Sequence, residues 1–211
     1  MENNFSSADE LKTIRKIMEE SSRFLSISGL SGVFMGSFAI IGAAVAWVLI
    51  LHNGSVKYDE YFRNLTGTGT PALRLGLITD AILVLVFSVI TAIWFSARKA
   101  RKAGKSLWTP VSRRLLVNLS IPLVTGGIFI IILLLQNHIQ LLVPGMLIFY
   151  GLALINAGKF TYSEIFYLGI LEIITGLASA VFPSAGILFW VFGFGLLHIG
   201  YGLFMYRKYE S

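Results

Sequence analysis

Six runs of about twenty mainly apolar residues, 27–51, 73–97, 114–135, 140–158, 163–182 and 184–206, fill most of this sequence. They leave it few folds. A helix rises 1.5 Å per residue, so each run matches the roughly 30 Å hydrocarbon core of a bilayer. Hydrocarbon offers an open backbone no hydrogen bonds, so each run must satisfy its own amides, as a helix does. Only 13% of the 211 residues are charged, about half the usual share of a soluble domain, and no separate soluble domain fits between the runs. The expected fold is an all-α polytopic membrane protein with six transmembrane helices.

The cations then set an expected orientation. Six crossings put Lys12, Arg15, Lys16 and Arg23, the seven cations of segment 98–114, Lys159, Arg207 and Lys208 on one side. That makes 14 against three on the other side, Lys57, Arg63 and Arg74. Lys and Arg are retained on the cytoplasmic face, so both termini are expected in the cytoplasm. The formal net charge of +6 reads as this topology signal, and no nucleic-acid partner is expected from it. The expected partners are the lipid bilayer and, at the basic segments such as 98–114, its anionic headgroups, although the positive-inside bias already accounts for those cations.

Before the first run, residues 7–25, "SADELKTIRKIMEESSRFL", predict a short amphipathic helix within a cytoplasmic segment 1–26. Ser7 and Glu10 have capping-box spacing. Leu11, Ile14, Met18, Phe24 and Leu25 recur at helical spacing with charges between them. Such a helix either lies flat on the inner membrane face or docks a partner. The N-terminal "MENNFSS" is polar and acidic, so the first run is expected to be retained and not cleaved as a signal.

Small residues are placed in rows that let helices approach closely. In the first run Ser28, Gly32 and Gly36 are four apart. Gly169 and Gly176 are seven apart in the fifth. In the sixth, Gly186, Gly193 and Gly200 repeat every seven residues, with Gly195 and Gly202 as a second row. The sixth helix is therefore expected at the centre, and the short "FPSAG" turn at 182–186 should make it an antiparallel neighbour of the fifth. Surplus small-residue faces also permit a homo-oligomer or another membrane protein as partner.

The motifs "ESSRFLSISGLSGVFMG", "YGLALINAGKFT" and "YLGILEIITG…FPSAGILFWVFGFGLLHIGYGLFMYRKYE" resemble a group of uncharacterised six-span membrane proteins of Bacteroidota. That resemblance covers most of the chain and implies a bacterial inner-membrane location, with no activity attached. The glycine-rich hairpin at the end also resembles one repeat of the HdeD-like acid-stress membrane proteins.

Ionisable groups inside a membrane cost roughly 2.5–3.5 kcal/mol on insertion scales and usually face the bundle interior. Glu172 lies about 13 Å and His198 about 12 Å from the cytoplasmic ends of the fifth and sixth runs. Each sits on a glycine-lined face: Gly169, Glu172 and Gly176, and likewise Gly195, His198 and Gly202, fall at i, i+3 and i+7. If those faces meet, the carboxyl and imidazole can hydrogen-bond, as a helix clip or as a proton-sensitive site. Asn118, Asn156 and Glu164 fall in or near the same half of the membrane, and Asp80 in the opposite half. These either outline a cavity open to the cytoplasm or form the ordinary polar fringe of helix ends.

Catalysis is not expected. "GLSG" at 29–32 with His198 resembles the Ser–His dyad of rhomboid proteases, but the serine lies in the wrong helix for that family and its second-helix motif is missing. The sequence has no HExxH zinc motif. It has no cysteine and one histidine within the runs, so no metal or cofactor is expected. The two function classes left are a non-enzymatic accessory or stress-related membrane component and a small proton-sensitive transporter or channel.

Overall fold

A computed structural model describes residues 23–51 and 71–210. Among them helix is the only regular structure, with six helices long and apolar enough to cross a membrane. These are α1 (Gly29–Leu51), α2 (Pro71–Lys102), α3 (Pro110–Leu135), α4 (Leu142–Gly158), α5 (Ser163–Val181) and the sixth span α6 (Pro183–Tyr209). The expected helix at 7–25 lies outside the described residues apart from its end, and residues 23–28 are not helical.

The observed helices differ from the apolar runs mainly at their ends. α2 continues past residue 97 to Lys102, and its last turn carries Lys99, Arg101 and Lys102. α3 starts at Pro110, where the missing amide hydrogen costs nothing, behind a Thr109–Ser112 capping box. The sixth span departs most. A 3₁₀ turn at Pro183–Ala185 and one α-helical turn at Gly186–Trp190 lead into a π-helical segment, Val191–Leu197, before α-helix resumes at His198.

Close glycine contacts decide which helices touch. α4 and α5 cross where Gly151 and Gly169 face each other. A Cβ on either would lie 2.6 or 2.7 Å from the other's carbonyl oxygen. α1 crosses α6 in the same way: a Cβ on Gly36 would sit 2.5 Å from the carbonyl oxygen of Gly195, and one on Gly202 would sit 2.6 Å from that of Gly29. α6 thus contacts α1 on one side and α4 and α5 on the other, while α2 packs chiefly on α1 and α3 on α4. Phe34–Phe95 and Phe38–Phe87 ring contacts fill the α1–α2 seam. The outward faces of α2 and α3 are almost wholly exposed apolar side chains, as lipid-facing surfaces are.

The expected seven-residue glycine row of the sixth span is not one packing face. Gly193 is tight, but a Cβ on Gly186 would make only ordinary contacts near 3.7 Å, and one on Gly200 would meet nothing within 4 Å. The cause is the π turn. A seven-residue repeat keeps one face only in a regular α-helix, and the wider turn rotates the rest of the helix out of that register. Gly32, Gly36, Gly169, Gly176, Gly195 and Gly202 do lie at close helix approaches.

At the end where α6 finishes, Leu115, Leu154, Ala157, Ile165, Leu168 and Met205 form the main apolar cluster, contributed by α3, α4, α5 and α6. The cations of segment 98–114 lie at this same end, the basic end of the bundle.

Candidate functional site

Two polar constellations stand out against the apolar bundle. The deeper one joins α4, α5 and α6. Glu172 is 0% and His198 4% exposed, and their side chains meet with Oε1 3.3 Å from Nδ1. The other imidazole nitrogen, Nε2, lies 2.8 Å from the hydroxyl of Tyr150 on α4, and Nδ1 is 3.1 Å from the carbonyl oxygen of Gly193.

The π turn builds this geometry. Gly193 is five residues before His198, which in an α-helix would place it on another face. A π-helix bonds residues five apart, so the Gly193 carbonyl falls beneath the imidazole. Trp190, Phe194 and His198, each four residues apart, share one face of the helix, with Phe194 4.7 Å from Trp190 and 6.3 Å from His198 between ring centroids. The Trp190 indole nitrogen donates to the carbonyl of Ala39 at 3.2 Å, tying the stack to α1.

Gly193 also makes room for the carboxyl. A Cβ there would lie 2.7 Å from Glu172 Oε2 and 2.5 Å from Leu147 Cδ2. Among the described residues, neither Glu172 oxygen has a hydrogen bond, and both are buried. A lone charge in such a place is very costly. The imidazole of His198 is the polar side chain that faces this carboxyl, Nδ1 to Oε1. The Gly193 carbonyl can only accept, which fixes a proton on Nδ1. In the neutral imidazole, Tyr150 then donates to Nε2.

The second constellation closes the basic end. Residues 24–28 run as a non-helical strap against the α4–α5 connection and end in α1. A backbone at a membrane boundary needs partners for its polar groups, and this strap finds them in side chains and in the neighbouring turn. Phe24 donates its N–H to Phe160 O at 2.7 Å. Its own carbonyl accepts from Thr161 Oγ1 at 2.8 Å, Leu25 O from the Tyr162 hydroxyl at 2.7 Å, and Ile27 O from Lys99 Nζ at 2.8 Å. Ser31 Oγ donates to Ser28 O at 2.6 Å. Glu210, just beyond α6, completes the clasp. It accepts from the Gly29 N–H at 2.6 Å and from Ser28 Oγ at 2.9 Å, and pairs with Lys99 Nζ at 3.2 Å. The carboxylate thus caps the positive end of α1.

Of the polar residues singled out in the sequence, only Glu172 and His198 come together. Glu164 sits at the basic end, bound by Lys208 and by the Tyr209 hydroxyl. Asn118 donates to Arg114 O of its own helix at 2.8 Å, and Asn156 accepts from Lys159 at 3.3 Å. Asp80 packs on Gly42 of α1. No polar path among the described residues links these four to the pair. Helix-end side chains reach their own backbone or the nearest surface charge first, because those partners cost least conformational entropy. Ser31 and His198 make no dyad: the hydroxyl is bound to Ser28 O, and both imidazole nitrogens are engaged elsewhere. Among the described residues no three metal-ligating side chains converge.

Tyr150, Lys99 and Glu210 were not legible as site residues, although Tyr150 left a signal. It lies eight residues before the end of α4, about 12 Å deep, the same level as Glu172 and His198. No family model, curated protein sequence or solved structure matches the chain, so the functional reading rests on the geometry.

Proposed function

We propose that this is a non-enzymatic integral protein of the bacterial inner membrane, an accessory or stress-related component that acts through its helix and lipid contacts and moves no solute. The observation that carries the reading is the closure around Glu172. The carboxyl is wholly buried and walled in by His198, Gly193 and Leu147. In this reading the Glu172–His198–Tyr150 group is a clip that fixes α4, α5 and α6 in register. The basic end faces the cytoplasm, for which the positive-inside bias is the support. The likeness of the motifs to six-span proteins of Bacteroidota supports the bacterial location.

A second reading has an observation of its own. Among the described residues both Glu172 oxygens lack a hydrogen bond, and they lie beside a π turn, an irregularity frequent at functional sites. A small proton-sensitive transporter or channel with a cytoplasm-facing cavity would use that carboxyl and imidazole. Proton and small-ion flux in proteoliposomes under an imposed potential separates the two. The accessory reading expects no flux from the wild type or from Glu172→Gln. Wild-type flux that disappears in a folded Glu172→Gln protein overturns it in favour of transport.

A further inference from the structure

The connection between α2 and α3 lies outside the Glu172 site on which the two readings turn, and its structure sharpens the headgroup contact expected from its charge. Between Asp80 and Glu164 the sequence has no acidic residue, while Arg98, Arg101, Lys102, Lys105, Arg113 and Arg114 are all exposed at the basic end. The two carboxylates described at that end are spent, Glu210 on Lys99 and Glu164 on Lys208. No described carboxylate neutralises the six cations.

Their backbone is also held in place. α2 outlasts its apolar run by five residues, from 97 to Lys102, and so carries its last turn about 7 Å beyond the end of that run. The turn behind it is ordered. Gly104 has φ 63°, the left-handed conformation favoured at helix ends. Gly104 N–H bonds Arg101 O at 3.1 Å, and Lys105 N–H bonds Ala100 O at 2.9 Å. The Thr109–Ser112 capping box then starts α3. The backbone that carries the cations is therefore shaped by helix ends and a capped turn, unlike a flexible basic tail.

Two indoles identify the medium this array meets. Trp94, on the outward face of α2, stands under the guanidinium of Arg98 at 5.6 Å. Trp108, between the two basic groups, is 68% exposed. An exposed indole is unfavourable in water and favourable at the headgroup boundary, where its ring is buried and its N–H stays wet.

We propose that the α2–α3 connection is a docking surface for anionic phospholipid headgroups, with Arg101, Lys102, Lys105, Arg113 and Arg114 meeting the phosphates and Trp108 inserted between lipids. This holds whether or not the protein conducts, so its failure and that of the accessory reading are separate. It differs from the bulk positive-inside effect in requiring local enrichment of anionic lipid around one residue.

The test uses the full chain in phosphatidylcholine vesicles carrying a small share of either brominated phosphatidylglycerol or brominated phosphatidylcholine. Trp108 fluorescence is obtained as the difference between wild type and Trp108→Phe. About twofold stronger quenching by the anionic lipid is expected, and Arg113→Gln/Arg114→Gln should lower that preference while leaving thermal unfolding unchanged. Equal quenching by the two lipids overturns the proposal and also covers the case in which the chain's own acidic N-terminal segment occupies the patch. A preference abolished by inorganic phosphate, but not by chloride of the same ionic strength, overturns it too, because the site would then belong to a soluble anion.

Discussion

Gly200 and Gly202 lie two residues apart on α6, yet alanine at the two positions should act with opposite sign. A Cβ on Gly202 would lie 2.6 Å from Gly29 O, 2.6 Å from Val33 N and 3.0 Å from Gly32 C, all backbone atoms of α1. Carbon prefers its neighbours at about 3.5–4.0 Å, so α1 must back away by roughly 1 Å. Backbone cannot yield as a side-chain tip can. Overpacking of this kind costs about 1–3 kcal/mol, against a gain of at most about 1 kcal/mol from replacing glycine inside a helix. A Cβ on Gly200 meets nothing within 4 Å, so only the gain applies there. Gly202→Ala should therefore destabilise the bundle while Gly200→Ala leaves it unchanged or slightly more stable, a difference of about 2 kcal/mol. The assay is reversible unfolding in mixed micelles with increasing dodecyl sulfate, monitored by circular dichroism. Equal midpoints for the two variants would refute the α1–α6 crossing.

Three further outcomes are expected from the polar constellations. Tyr150→Phe removes the hydroxyl from His198 Nε2 and should cost about 0.5–1.5 kcal/mol in the same unfolding assay. Gly193→Ala pushes on two side-chain tips, Glu172 Oε2 and Leu147 Cδ2, and so should cost less than Gly202→Ala. Combined with Glu172→Ala it should be partly rescued, and strictly additive losses would count against the contact. Glu210→Gln leaves Lys99 without its carboxylate and weakens the cap on α1. Amide hydrogen exchange in the first turn of α1 should rise, with a loss of about 1–2 kcal/mol. Unchanged exchange at Gly29 would mean that Glu210 is not held there.

The sequence by itself determined six spans, because crossing hydrocarbon requires a run of fixed length that closes its own backbone hydrogen bonds. An even number of crossings also puts the residues before the first span and after the last on one face, and there Ser28 meets Glu210. Depth along a span is likewise a matter of counting, and counting placed Glu172 level with His198. Which helices touch was a tertiary decision. Apolar side chains find lipid as acceptable as protein, so hydropathy carries no information about partners. Small residues mark close approaches without naming the other helix. Thus α5 lies mainly along α4 through Gly151 and Gly169, a pairing the 182–186 hairpin did not indicate. Nor could the letters foretell the π turn at Val191–Leu197. A seven-residue glycine repeat is equally compatible with a regular helix, and the extra width is held by contacts from other helices: Tyr150 on His198, Glu172 against Gly193 and Ala39 on Trp190. The same holds for Glu210, which in sequence is one more charged residue beyond the last apolar run. Only the packing of α6 against α1 brings its carboxylate to Gly29 and Lys99.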